Sequence, residues 1–99
     1  MEAVHRLPRQ VIVSDPNQIT SPTAVAVLTH VVRSIVDDPD AVSVEEVEGR
    51  HRPKLEVKVG PGDLGRVIGR RGRTAQSIRT VVRAAAAKDG AEVDVDFVD

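Results

Sequence analysis

The sequence predicts an α+β domain with two layers, in which a three-stranded sheet carries helices on one face. Two observations predict this class. Apolar residues recur at helical spacing in some segments and alternate with polar residues in others. These segments follow one another in the order α-β-β-α-α-β, which builds a sheet covered by helices. The length of 99 residues gives room for one small domain with a modest core.

The first 20 residues show no sustained periodicity. Pro8 and Pro16 interrupt them, and Val11-Ile12-Val13 is too short for more than an added edge strand. We therefore expect residues 1–20 to form a flexible or loosely docked N-terminal arm. Residues 21–99 are expected to form the single folded domain.

The first predicted helix begins at Ser21, which suits the N-cap, and at Pro22, which suits the first helical position. It continues over Thr23–Val36 and ends before Pro39, because proline cannot continue a helix. The apolar stripe that faces the core comprises Ala24, Val27, Leu28, Val31, Val32 and Ile35.

The next two segments predict a β-hairpin. Valines alternate with polar residues within Ala41–Glu48, and Val47 falls out of step, which predicts a bulge near Glu45-Glu46. A turn at Gly49–Pro53 leads to Leu55–Val59, where apolar and polar residues alternate again. This second strand is expected to be half-buried.

Glycines divide the rest of the chain. Gly60-Pro61-Gly62 ends the second strand, and Gly69–Gly72 forms a tight loop between a short helix at Asp63–Ile68 and a long helix at Arg73–Lys88. Alternation then predicts a strand over Glu92–Phe97, with Val93, Val95 and Phe97 directed inward. The inner face predicted for the long helix comprises Ala75, Ile78, Val81, Val82, Ala85 and Ala86.

Charge is distributed unevenly along the chain. The 14 basic and 15 acidic residues give a net charge of −1. Residues 64–88, which we call the basic segment, contain no acidic residue, so the rest of the chain has a net charge of −8. Such a bipolar molecule attracts a polyanion with one face, although a solvated basic helix is the simpler interpretation. The basic residues of the segment are Arg66, Arg70, Arg71, Arg73, Arg79, Arg83 and Lys88.

Composition excludes several classes of function. The chain has no cysteine, which excludes disulfides, thiolate metal sites and thiol chemistry. It has one phenylalanine and no tyrosine or tryptophan, which argues against recognition of bases by aromatic stacking. The three histidines lack metal-ligand spacing, and no catalytic constellation is identifiable. We therefore expect neither an enzyme nor a bound metal or cofactor.

The segment Ile68-Gly69-Arg70-Arg71-Gly72 carries the most information. Glycine permits unusual backbone angles and lets a ligand approach closely. The start of the long helix offers unpaired N–H groups and the positive end of the helix dipole, which attract phosphate. Arg70 and Arg71 add charge and hydrogen-bond donors. This arrangement predicts binding to a nucleic-acid backbone, with a plain connection between two helices as the alternative.

This segment, with Ala75 and Ile78 after it, resembles the GXXG motif of KH domains, which clamp about four nucleotides of single-stranded RNA or DNA. The element order resembles their type II arrangement, from about Thr23 to Val98. A domain of this length, with Asp63–Gly69 before and within the motif, resembles the small bacterial stand-alone proteins of the KhpA type. Two features depart from the family: the first 20 residues have no counterpart in its short form, and the loop carries two arginines.

The resemblance implies a non-catalytic, bacterial, cytoplasmic protein that binds single-stranded RNA with low sequence specificity, as an RNA chaperone or post-transcriptional regulator. It implies a larger KH-containing partner of the KhpB or Jag type, and it leaves single-stranded DNA binding and a homodimer open. The second strand is expected to contribute Val57 or Lys58. The loop residues implied to hold the RNA phosphates are Gly69, Arg70, Arg71 and Gly72. Further contacts to the RNA backbone are implied for Arg66, Arg73, Arg79 and Arg83. The apolar residues that line a groove for the bases or pack the core are Leu64, Val67, Ile68, Ala75 and Ile78.

The sequence also permits two other interpretations, a protein-interaction adaptor and a dinucleotide site. A protein-interaction adaptor would use the same fold and act through a partner, and it would not need Arg70 or Arg71. A dinucleotide site is suggested by Gly60-Pro61-Gly62-Asp63-Leu64-Gly65, which matches G-x-G-x-x-G after a strand. That site is excluded because the chain is too short for a doubly wound sheet and no acidic residue follows about 20 positions later.

Overall fold

The computed structural model describes residues 20–98. The predicted arm, including the possible strand at residues 11–13, lies outside this range except for Thr20. The backbone N–H and the hydroxyl of Thr20 donate to the carboxylate of Glu46, at 3.0 and 2.6 Å. No helix within the described range is long and apolar enough to cross a membrane.

The elements occur in the predicted order. The helices are α1 (Pro22–Ile35), α2 (Leu64–Ile68) and α3 (Arg73–Lys88), and the strands are β1 (Ser43–Val47), β2 (Lys54–Lys58) and β3 (Asp94–Val98). Short 3-10 turns occupy Pro39–Ala41 and Arg70–Gly72. The predicted bounds of α3 are confirmed, and those of the other elements are right to within about two residues.

The sheet has the order β1-β2-β3. β1 pairs antiparallel with β2, and β2 pairs parallel with β3. The expected bulge in β1 is absent, because all five residues from Ser43 to Val47 pair one-to-one with Lys58 to Lys54. Val47 is out of step with the buried valines simply because it belongs to the outer face of the sheet, together with Glu45.

One core joins α1, α3 and the inner face of the sheet. The buried apolar residues of α1 and the sheet include Leu28, Val32, Val44 and Leu55, and α3 buries Ile78 and Val82 against them. Val81, which we predicted to face inward, is 50% exposed, so that prediction is wrong. The apolar stripe of α3 is narrower than the sequence suggests, and Val81 lies beyond its edge.

Hydrogen bonds from distant segments close the start of α1. The hydroxyl of Ser21 accepts the N–H of Ala24 at 3.1 Å, which confirms Ser21 as the N-cap. The carboxylate of Asp89, just after α3, accepts from the hydroxyl of Ser21 and from the N–H and hydroxyl of Thr23. These bonds, that to Ser21 first, lower the pKa of Asp89 below its ordinary value of 3.8.

Candidate nucleic-acid interface

Three of the four residues that connect α2 to α3 have a positive φ angle. Gly69 has φ 76° and ψ 175°, Arg71 has φ 58°, and Gly72 has φ 72°. Arg71 is the one non-glycine residue with positive φ between residues 20 and 98. A non-glycine residue pays a conformational cost in this region, and such costs concentrate at functional sites.

Gly69 is required for a second reason. A Cβ atom added there would collide with the side chain of Thr74, in the first turn of α3. At Gly72, by contrast, a Cβ would meet open space. The first glycine therefore packs against the helix that follows, while the second leaves room beside the backbone.

The N-terminal end of α3 is open to a ligand. No side chain caps it, and its first turn contains no acidic residue. Arg70, Arg71 and Arg73 are exposed around this end and form no ion pair with another residue of the described range. Three exposed arginines therefore lie within residues 70–73, at a helix N-terminus that has no side-chain cap, and this combination favours binding of a phosphate.

The apolar residues named from the sequence divide between core and surface. Val67 is fully buried and belongs to the core, as does Ile78. Leu64 and Ile68 are partly buried at the edge of the core, and Ile68, directly before the loop, can present apolar surface to a ligand. Val57 is fully buried in the sheet and Lys58 is exposed, so of the two residues expected from the second strand only Lys58 is accessible to RNA.

The remaining named arginines are engaged within the molecule. Arg66 pairs with Asp37 at 2.9 Å and with Asp63 at 3.4 Å. The Nε of Arg79 donates to the carbonyl of Val95 at 3.1 Å, and its guanidinium lies 5.4 Å from the centre of the Phe97 ring. The structure thus places Arg79 against β3, while Arg66 lies one helical turn before the loop.

The sequence reasoning missed the residue that secures α2. Asp63 is buried, and its carboxylate accepts the backbone N–H groups of Asp37 and Asp38, each at 3.1 Å. These partners lie 26 and 25 residues away along the chain. The available signal was the Gly-Pro-Gly turn directly before an acidic residue at the start of a short helix.

The family model and the relatives that match this chain all belong to the same family. The family model described as "KhpA/KhpB, KH domain" matches residues 25–97. A relative from Leifsonia xyli, "RNA-binding protein KhpA", is 57% identical over 72 residues, which cover 73% of this chain and 92% of the relative. Relatives of the same name from Caldanaerobacter subterraneus and Mycobacterium bovis are each 47% identical, over 69% and 80% of this chain and 91% and 95% of their own. No solved structure matches significantly.

Proposed function

The chain belongs to the KhpA/KhpB family of KH domains, and from that premise we propose that it binds single-stranded RNA with low sequence specificity. The loop Gly69–Gly72 clamps the phosphate backbone at the start of α3. One observation carries this proposal: a loop with three positive φ angles presents exposed Arg70 and Arg71 at an uncapped, acid-free helix end.

Each part of the loop has a separate role. Gly69 lets the loop pack closely against α3, and Gly72 leaves room for the RNA backbone to approach the loop. Arg70, Arg71 and Arg73 supply charge, while the half-buried Leu64 and Ile68 offer apolar surface to the bases. Because no aromatic side chain is available for stacking, phosphate contacts dominate, and sequence specificity is low.

The role is non-catalytic and cytoplasmic, as an RNA chaperone or post-transcriptional regulator. Single-stranded DNA can occupy the same loop, because no group identified there reads a 2′-hydroxyl. For a protein partner, such as a larger KH-containing protein of the KhpB or Jag type or a second copy, the described surface offers Val81 on the solvent side of α3. Docking there would not require Arg70 or Arg71, so the two activities are separable.

Fluorescence anisotropy with a labelled single-stranded oligouridine tests the proposal. We expect the Arg70→Asp/Arg71→Asp variant to lose binding and keep its fold, because both side chains are exposed. Native binding should weaken steeply with salt, with a slope of about −0.7 in log K against log salt for each phosphate neutralised.

A control of equal charge comes from the hairpin turn, where Arg50 and Arg52 are exposed and Arg52 pairs with Glu92 at 3.8 Å. The Arg50→Asp/Arg52→Asp variant has the same net charge as the loop variant. The turn adjoins the start of β3, since Pro53 accepts the N–H of Asp94, and so lies near the C-terminal end of α3. α3 is roughly 24 Å long, which exceeds the Debye length at physiological salt. Equal losses in both variants would contradict a specific clamp.

A further inference from the structure

The turn before α2 brings a carboxylate to the end of α1. The N–H of Asp63 donates to the carbonyl of Gly60 at 3.0 Å, Pro61 follows Gly60, and Gly62 has φ 83°, which is the pattern of a type II turn. A Cβ on Gly60 would lie 3.2 Å from the Cβ atoms of both Ala41 and Asp38. The turn therefore approaches the segment after α1 as closely as glycine allows.

Asp63 then forms what we call the α1–α2 clasp: its carboxylate bound to the backbone N–H groups of Asp37 and Asp38. Each oxygen accepts one N–H at 3.1 Å, and the residue is 2% exposed. A buried charge is costly unless hydrogen bonds satisfy it. The two amides and the nearby Arg66 guanidinium meet this need, so the clasp has one well-defined geometry.

The clasp matters for the loop because it ties the start of α2 to the backbone after α1. It acts beside the core contacts of Leu64, Val67 and Ile68 and beside the ion pair that Arg66 forms with Asp37. The helix has five residues, of which only Val67 is buried, and a helix of this length is not stable alone. Its first carbonyl, that of Asp63, accepts the N–H groups of Arg66 and Val67, and its last bond runs from the N–H of Gly69 to Gly65. The clasp therefore lies at the start of α2, and the first glycine of the loop lies at its end.

We propose that Asp63 is a positioning residue for RNA binding: through the clasp it fixes α2 and thereby the loop Gly69–Gly72. This inference rests on the proposed function. Asp63 is buried and does not touch the RNA. Its loss lets α2 shift on the core, so the loop spends less time in the conformation that clamps phosphate.

Asp89 provides a matched control in the same molecule. Its carboxylate also accepts a backbone N–H from a distant segment, at Thr23, together with two hydroxyl groups. It lies beyond the opposite end of α3 from the loop. Asp63→Asn and Asp89→Asn therefore remove the same formal charge from a carboxylate that accepts a distant backbone N–H, although Asp63 is buried and Asp89 is exposed. Only the first change is made beside α2.

The experiment measures oligouridine affinity and backbone amide exchange for the native protein, both variants and Arg70→Asp/Arg71→Asp, at a temperature where circular dichroism shows each to be folded. We expect Asp63→Asn to weaken RNA binding about tenfold, equivalent to about 1.4 kcal/mol, and to speed exchange at Gly69. Asp89→Asn should leave both unchanged. If Asp63→Asn does not fold, Asp63→Ser replaces it, because serine sets no amide NH₂ against the second backbone N–H.

The outcomes separate the two proposals. Equal affinities for Asp63→Asn and Asp89→Asn, with Arg70→Asp/Arg71→Asp inactive, would overturn the positioning role and leave the clamp intact. Failure of both Asp63 variants to fold would also overturn it, because Asp63 would then serve the whole fold. Absence of RNA binding by the native protein would overturn the proposed function and the inference together.

Discussion

Each end of α3 is flanked by a glycine with positive φ, but the hydrogen bonds around the two ends differ. Gly72 precedes the helix with φ 72°, and Gly90 follows it with φ 69°. At the C-terminal end, the N–H groups of Asp89, Gly90 and Ala91 bond to carbonyls of the last turn, and the Asp89 carboxylate ties α1 to it. At the N-terminal end no side chain caps the helix. The C-terminal end, which we call the closed end, is therefore tied to α1 by a side chain. The N-terminal end, which we call the open end, has backbone bonds within the loop, from the N–H of Gly72 to Gly69 and from that of Arg73 to Arg70, and no side-chain cap.

This difference separates stability from function. The closed end joins the first and last parts of the described chain, so groups there stabilise the fold. At the open end, no acidic residue of the basic segment offsets the positive charge of the arginines and the helix dipole. This excess of positive charge lowers stability and favours binding of an external anion. A substitution of one kind made at both ends should therefore change RNA binding only when it is made at the open end.

We expect the largest difference between the two ends when each flanking glycine is replaced by alanine. Gly72→Ala and Gly90→Ala each place a Cβ in open space at similar φ, so each should destabilise the fold by about 1–2 kcal/mol. Only Gly72→Ala should also weaken RNA binding, by about tenfold, because the loop resists its clamping conformation and the new methyl group blocks close approach. Urea unfolding and anisotropy measure the two effects. Equal RNA affinities would show that the left-handed glycine of the loop serves only the fold.

Much of this arrangement is visible in the sequence, and its limits have physical causes. The bounds of α3 are predictable because Gly72 and Gly90 flank an alanine-rich segment, and the loop is recognisable because its residues are consecutive. The hydrogen bonds that the carboxylates of Asp63 and Asp89 accept join residues at least 25 positions apart, so no local pattern contains them. The prediction for Val81 is wrong because periodicity shows where the apolar stripe of a helix is centred. It does not show how much of that stripe the neighbouring elements bury.

The closed end predicts a pH dependence of stability. Asp89 has its pKa lowered in the folded state, chiefly by the hydroxyl of Ser21, so its ionised form stabilises the fold. That contribution is complete above the ordinary value of 3.8 and is lost as the pH falls through the lower folded value. Asp89→Asn should be less stable at neutral pH and lose less stability on acidification. Urea unfolding from pH 6 to pH 2.5 measures this, and parallel curves for both proteins would refute the assignment.

The smallest effect concerns a single added charge at each end. Gln76 is exposed in the first turns of α3, so Gln76→Glu should stabilise the helix by a few tenths of a kcal/mol, since a negative charge there complements the dipole. The same charge competes with phosphate and should weaken RNA binding about two- to threefold. Ala87→Glu adds an equal charge at the closed end, where it should destabilise the helix slightly and leave RNA affinity unchanged. Thermal unfolding and anisotropy on the pair test both signs together. RNA binding that weakens equally in both variants would mean that net charge, and not the open end of α3, governs affinity.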